Sequence, residues 1–287
     1  MRIEEKIMTQ VPTPTEWEDY LFDLQGYLVL KDVVSPELIA EINETVDHWV
    51  ALHEAGHKWI GHVRGSDPEP VKGPDIKFAN IIEGGPAFEA LIDNPNWLEY
   101  VKRYVDNDGL YIWANHLSVS RKGSYVPVHS GGHNKSYRTS FRYHNDNFYC
   151  GNFNVLLALN DIGPGDGGTM IVPGSHKCNV VNPLVFEQEN GRHKNVVEQT
   201  KLTPYLKEMH LNAGDAVIFT DACTHGASVR TNDGERRILI YRYTAFWMKN
   251  ATGFEPSEEL LARLTPERRK IVRPVVPIRP PVQSVTA

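Results

Sequence analysis

His144-Asn145-Asp146, with His225 far downstream and Arg236 eleven residues beyond that, are the residues whose types and spacing could do chemistry. In a strand, residues i and i+2 point to one side, so a His-x-Asp triplet can present an imidazole and a carboxylate together. A second imidazole from His225 completes a two-His, one-carboxylate set. Such a set leaves half of the positions on a ferrous ion open for a co-substrate and O2. Arg236, just past a Gly-containing turn, can hold a dicarboxylate by a two-pronged hydrogen bond.

The elements that must position these residues come in two textures. Before Leu110 the chain is mostly helical. Apolar residues at helical spacing run from Glu16 to Leu24, and Gly26-Tyr-Leu-Val-Leu reads as a strand. Ser35-Pro36-Glu37 is a helix start, with Leu38, Ile42, Val46 and Val50 on one face. Residues 54–85 are Gly- and Pro-rich and read as a long surface excursion. Residues 86–105 read as a further helix. From Leu110 onward the pattern is β. Leu110 to Arg121, Phe153 to Leu159, Thr169 to Val172, Ala216 to Thr220 and Arg237 to Phe246 are short β-like runs between turns. No crossover helices separate them, which favours an antiparallel sandwich or barrel. Ser257 to Val272 returns to helix. The expected organisation is one domain over 14–272, a loose tail at 1–13 and a Pro-rich arm at 273–287.

With 287 residues, 41% of them hydrophobic, the chain can bury a sizeable core, and its net charge of -6 argues against nucleic-acid or membrane-surface partners. No run is long and apolar enough for a membrane span, and the first residues lack the apolar stretch of a secretory signal. The three cysteines, Cys150, Cys178 and Cys223, give no disulfide framework, so a reducing cytoplasm is the expected setting.

Five stretches together carry a family likeness: DLQGYLVLKDVVSPELI, the His144-Asn145-Asp146 triplet, DIGPGDGGTMIVPGSHK, AGDAVIFTDACTHGAS and GERRILIYRY. On these, the chain resembles the phytanoyl-CoA dioxygenase family of Fe(II)- and 2-oxoglutarate-dependent oxygenases over about residues 18–275. The resemblance implies a mainly β chain with flanking helices, its core a double-stranded β-helix (jelly roll) with helices packed outside. It implies Fe(II), 2-oxoglutarate and O2 as cofactor and co-substrates, and a small-molecule primary substrate. By position it assigns His144, Asp146 and His225 to iron and Arg236 to 2-oxoglutarate. Phe141 matches a position that lines the co-substrate pocket. Ala227 stands where many members carry a second 2-oxoglutarate-contacting hydroxyl, and Ser228 next to it is the nearest hydroxyl. A carboxylate at Asp146 selects oxygenation, since Gly or Ala in that place would let a halide bind the metal.

The Gly-rich polar segment from Tyr125 to Arg138 reads as a substrate-choosing lid, with His129 and His133 as substrate contacts. Asn154 is a further pocket-facing candidate, by alternation with Phe153 and Val155. Gly163 to Gly168 lacks the Lys-Ser/Thr ending of a phosphate loop and reads as a tight turn. Two other readings compete: a cupin-like metal dioxygenase that does not use 2-oxoglutarate, and a non-catalytic binding protein on the same fold.

Overall fold

Thr15 and Ser35 start the first two helices through their side chains. Thr15 Oγ1 accepts from the Glu18 amide at 3.2 Å and the Glu18 carboxylate accepts from the Thr15 amide at 2.8 Å, a reciprocal cap. Helix α1 (Glu16–Gln25) ends at Gly26, whose φ of 83° suits a residue without a Cβ. Helix α2 (Pro36–Glu54) begins at Ser35, as its sequence predicts, and buries Ile39, Ile42, Val46, Trp49 and Val50. The structure, a computed structural model, describes residues 11–66, 74–105, 109–134, 136–185, 205–245, 248 and 254–272. The expected C-terminal arm and most of the N-terminal tail lie outside the described residues.

Short helix α3 (Pro86–Glu89) and helix α4 (Pro95–Tyr104) divide the single helix expected over 86–105. Strands β1 (Tyr27–Leu30), β2 (Trp59–Ile60), β3 (Val63–Ser66), β4 (Ile76–Ala79) and β5 (Leu110–Ser120) are followed by β6 (Val126–His129). Next come β7 (Phe141–His144), β8 (Asn147–Cys150), β9 (Asn152–Ala158), β10 (Thr169–Ile171), β11 (Lys207–Glu208), β12 (Ala216–Thr220), β13 (His225–Ala227) and β14 (Arg236–Ala245). The large sheet has the order β1-β12-β9-β14-β5-β4-β3-β2, the small sheet β11-β10-β13-β6, and β7-β8 is a separate hairpin. From β5 to β14, hairpin apart, the chain passes back and forth between the two sheets, with β10 and β11 in succession both in the small one. Strands β2 to β4 correct the expected surface excursion: they extend the large sheet through the β4–β5 pairing. The helix expected over 257–272 is two, α5 (Glu258–Arg263) and α6 (Pro266–Val272), parted where Pro266 restricts the residue before it.

Strands β9 and β12 are buried along their whole length, on both faces of the sheet, which explains the apolar runs 155–158 and 216–219. Phe153, Val155 and Leu157 of β9 join the main core with α2, α4 and Tyr241. Leu156 and Ala158 point the other way, into a second core with Val217 and Phe219 of β12 and Ile171 of the small sheet. The inward face of this sandwich continues into a cavity. Among the described residues no helix is long and apolar enough to cross a membrane.

Candidate active site

His225 opens β13 and pairs across the small sheet with His129, the last residue of β6. Their ring centroids lie 4.2 Å apart. His129 Nδ1 donates to the Pro127 carbonyl and His225 Nδ1 to the Cys223 carbonyl, each at 2.8 Å. A carbonyl only accepts, so the proton of each neutral ring sits on Nδ1 and the Nε2 lone pair is left for a metal. Burial lowers the pKa of both imidazoles, and the neighbouring His129 lowers that of His225 further, so both rings are neutral at pH 7. His129 and His225 line a cavity of about 330 Å³ between the sheets.

The wall of this cavity is cationic. Lys77, Arg236 and Arg242 line it with His116, and no Asp or Glu of the described residues does. Arg236, the first residue of β14, is 4% exposed. Its Nη2 donates to Ser120 Oγ at 3.1 Å and its Nη1 to the Gly167 carbonyl, while Nε has no partner. Burial lowers its pKa to about 10, which leaves it charged at neutral pH. A buried guanidinium with an unmet donor beside an open cavity is a place for an anion. Arg242, on the same strand, donates through Nε to Asn154 Oδ1 at 2.8 Å. Asn154 also lines the cavity, as strand alternation predicts, and its Nδ2 donates to Asp221 Oδ1 at 3.2 Å.

The His-x-Asp triplet is elsewhere. His144 ends β7, Asn147 begins β8, and the two pair across a two-residue turn. Asn145 and Asp146 are that turn, with φ of 48° and 58°. Asn and Asp tolerate left-handed backbone better than most residues, and a two-residue hairpin needs it twice. The i, i+2 alternation that placed both side chains on one face therefore does not apply, because 144 and 146 are not in one strand. His144 and Asp146 are exposed. His144 lines a separate cavity with Tyr137, Tyr149 and Met248, and the Asp146 carbonyl accepts from Arg103 at 2.9 Å. His225 is thus not joined by His144 and Asp146. Among the described residues no group of three His, Cys, Asp or Glu side chains is arranged to hold a metal.

Other expected site residues divide. Phe141 packs edge-on against His176 at 4.4 Å and lies outside the cavity lining. Ser228 is buried and its hydroxyl donates to Glu208, while Ala227 lines the cavity. His133 borders a groove with Pro173 and Val181, not the main cavity. His129 enters as the partner of His225, not as a substrate contact on a lid. The expected lid is part of the framework: Val126–His129 is strand β6, the Gly132 amide donates to the Ser175 carbonyl at 3.0 Å, and a Cβ on Gly132 would come 2.3 Å from the His176 carbonyl oxygen. Sequence reading also passed over His116, Lys77 and Asp221. The signal that could have found His129 is its place at the end of a short Val-Pro-Val run. It is weak, because the residue two further on is Gly131 and not a carboxylate.

Comparison with known proteins agrees with this fold. A family model for phytanoyl-CoA dioxygenase (PhyH) matches residues 22–238. Dioxygenase cdmD of Talaromyces verruculosus is 24% identical over 265 residues, covering 86% of this chain and 80% of that protein. Among solved structures, HygX from Streptomyces hygroscopicus with nickel and 2-oxoglutarate bound superposes with a TM-score of 0.68 at 21% identity, over 82% of this chain and 88% of that one. EctD from S. alaskensis gives 0.61 at 17% identity, over 91% and 84%. The chain belongs to the phytanoyl-CoA dioxygenase (PhyH) family of iron(II)- and 2-oxoglutarate-dependent dioxygenases.

Proposed function

We propose that the chain hydroxylates a small-molecule substrate in the His129–His225 cavity, with 2-oxoglutarate as co-substrate. The observation that carries this is the cross-strand imidazole pair, each Nδ1 held by a carbonyl and each Nε2 left free. His129 and His225 would hold the iron, and Arg236 the distal carboxylate of 2-oxoglutarate through its unmet donor. Iron(II) so bound supplies oxidation of a substrate C–H bond by O2, with 2-oxoglutarate leaving as succinate and CO2 and the substrate gaining a hydroxyl. The protein's share is placement. The backbone carbonyls of Pro127 and Cys223 fix the tautomer and tilt of the two rings. Phe219, whose ring lies 4.8 Å from His225, and Leu156 and Ile238 keep the walls apolar and exclude water. Arg242 and Asn154 offer polar contacts to the primary substrate at the level of the imidazoles. A cavity of about 330 Å³ is at the small end for ligand sites, which fits a small substrate.

The deciding experiment is anaerobic Co(II) or Fe(II) titration of the full chain. His129→Ala and His225→Ala abolish metal binding, while His144→Ala and Asp146→Ala leave it unchanged. Loss of binding in the His144 variant, with the His129 variant intact, would overturn the assignment.

A further inference from the structure

Lys77, His116 and Arg242 lie on one diagonal of the large sheet, and all three line the cavity. His116 of β5 stands opposite Ile240 of β14 on one side and Ala79 of β4 on the other. Arg242 is two residues past Ile240, and Lys77, opposite Ser118, is two residues before Ala79. Each step of the diagonal is one strand over and two residues along, roughly 7–8 Å, which long side chains can span. Arg236 is off this diagonal. It is opposite Ser120, at the head of β14, about 20 Å of strand from Arg242 at about 3.3 Å per residue. The two guanidiniums therefore serve different ends of the cavity.

The donors of the diagonal are not used up. Arg242 donates through Nε to Asn154. Among the described residues no hydrogen bond engages its two terminal nitrogens, the Lys77 ammonium or the His116 ring. Nor does an acid balance these charges. No Asp or Glu of the described residues lines the cavity. Asp221, which acts on Arg242 from outside the lining, is already paired with Arg138 at 3.2 Å. Loading the site would not cancel the excess: Fe(II) and the 2-oxoglutarate dianion together add no net charge. Lys77 and Arg242 would still face a walled cavity as half-buried cations, an arrangement that costs free energy until an anion completes it.

We propose that the primary substrate is an organic anion, a small carboxylate or phosphate ester, whose acidic group lies over His116 between Lys77 and Arg242. This rests on the reading that the same cavity is the dioxygenase site, and it names the substrate class for that site. Arg242 offers a planar fork that fits two oxygens of the acid, and Lys77 a point charge. Burial and the two cations beside it keep His116 neutral, so its ring adds a donor without adding charge. Ile240 and Leu156, in the same cross-strand row as His116, give the carbon part of the substrate an apolar floor.

The test is calorimetric titration of the metal-free full chain with benzoate, phenyl phosphate and neutral benzamide as probes. Wild type is expected to bind at least one of the two anions, and benzamide at least about tenfold more weakly. Lys77→Met and Arg242→Met are each expected to weaken the anion about 10- to 100-fold, the loss of one charge-assisted hydrogen bond. Arg236→Ala is expected to change it by less than about threefold. Preference for benzoate assigns a carboxylate substrate, and preference for phenyl phosphate a phosphate ester. If Arg236→Ala removes the binding while the Lys77 and Arg242 variants keep it, the probe has taken the co-substrate's place and the inference is wrong. Equal binding of benzamide, or no binding of either anion, also overturns it. Should Arg242→Met not fold, Lys77→Met decides together with Arg242→Lys, which keeps the charge without the fork and is expected to give an intermediate loss. Co(II) binding by the His129 and His225 variants reports separately on the underlying reading: normal binding there overturns that reading, whatever the probes show.

Discussion

His129 and His225 are register partners on antiparallel strands, and each imidazole is bound through Nδ1 to the carbonyl two residues before it. The two rings are thus oriented by the same local device, one on each strand, and face one cavity. A tilt fixed by backbone survives the loss of neighbouring side chains, so the orientation of the two rings should depend little on their surroundings.

Asp146→Gly is expected to stabilise the protein. Asp146 sits at φ 58° in a two-residue hairpin turn, where Asn-Gly is the favoured pair. The gain should be on the order of 0.5–1 kcal/mol, the usual saving when Gly relieves a left-handed residue in a turn. Chemical denaturation measures it, and Co(II) affinity should not change. A large loss of metal affinity would return Asp146 to the site.

Arg236→Ala should raise the KM for 2-oxoglutarate with metal affinity preserved. Losing a two-pronged charged hydrogen bond costs about 2–4 kcal/mol, or roughly 30- to 1000-fold. Arg237→Ala is the control. Its guanidinium is engaged outside the cavity, with Asp47 at 2.6 Å and Glu235 at 2.8 Å, and its removal should leave that KM within a few-fold.

Stability should fall as pH drops from about 6.5 towards 4.5. His176 is lowered to about 4, chiefly by burial, and His116 well below its usual value for the same reason. In this window the unfolded chain binds more protons than the folded one, so acid favours unfolding. For His176 the full effect, reached near its folded pKa, is roughly 3 kcal/mol at 1.36 kcal/mol per unit. The carboxylates held down by partners, Asp215, Asp166 and Glu235, act only lower, as pH falls through the ordinary carboxylate range. Urea midpoints at pH 7.0, 6.0 and 5.0 check the slope, and a flat profile would contradict it.

Gly131→Ala should destabilise the chain by about 1–3 kcal/mol, the usual cost of a strained backbone conformation. The new methyl must push against His133 and Thr224. Thermal melting reads the loss. An unchanged melting temperature would mean that this backbone relaxes freely.

Much of the frame was legible from local chemistry. Ser35-Pro36 starts α2 because a hydroxyl cap and a first-turn proline act within one turn of chain. The run Ala216 to Thr220 is β12 to the residue, since β-branched and apolar side chains suit a strand buried on both faces. The place of Arg236 at the head of β14 was legible too, because a strand start after a turn is a local event, and that of His225 because it follows soon after β12. The residue that pairs with His225 was not. His144-Asn145-Asp146 has the composition of a ligand pair, but whether a triplet is strand or turn depends on what pairs across it, and β7 and β8 close on each other there. His129 had no carboxylate beside it to mark it. It becomes a site residue only because β6 and β13, far apart in the chain, meet in a register that sets it opposite His225. Side-chain types and short-range periodicity travel with the sequence, whereas cross-strand register is set by long-range packing that no local pattern encodes.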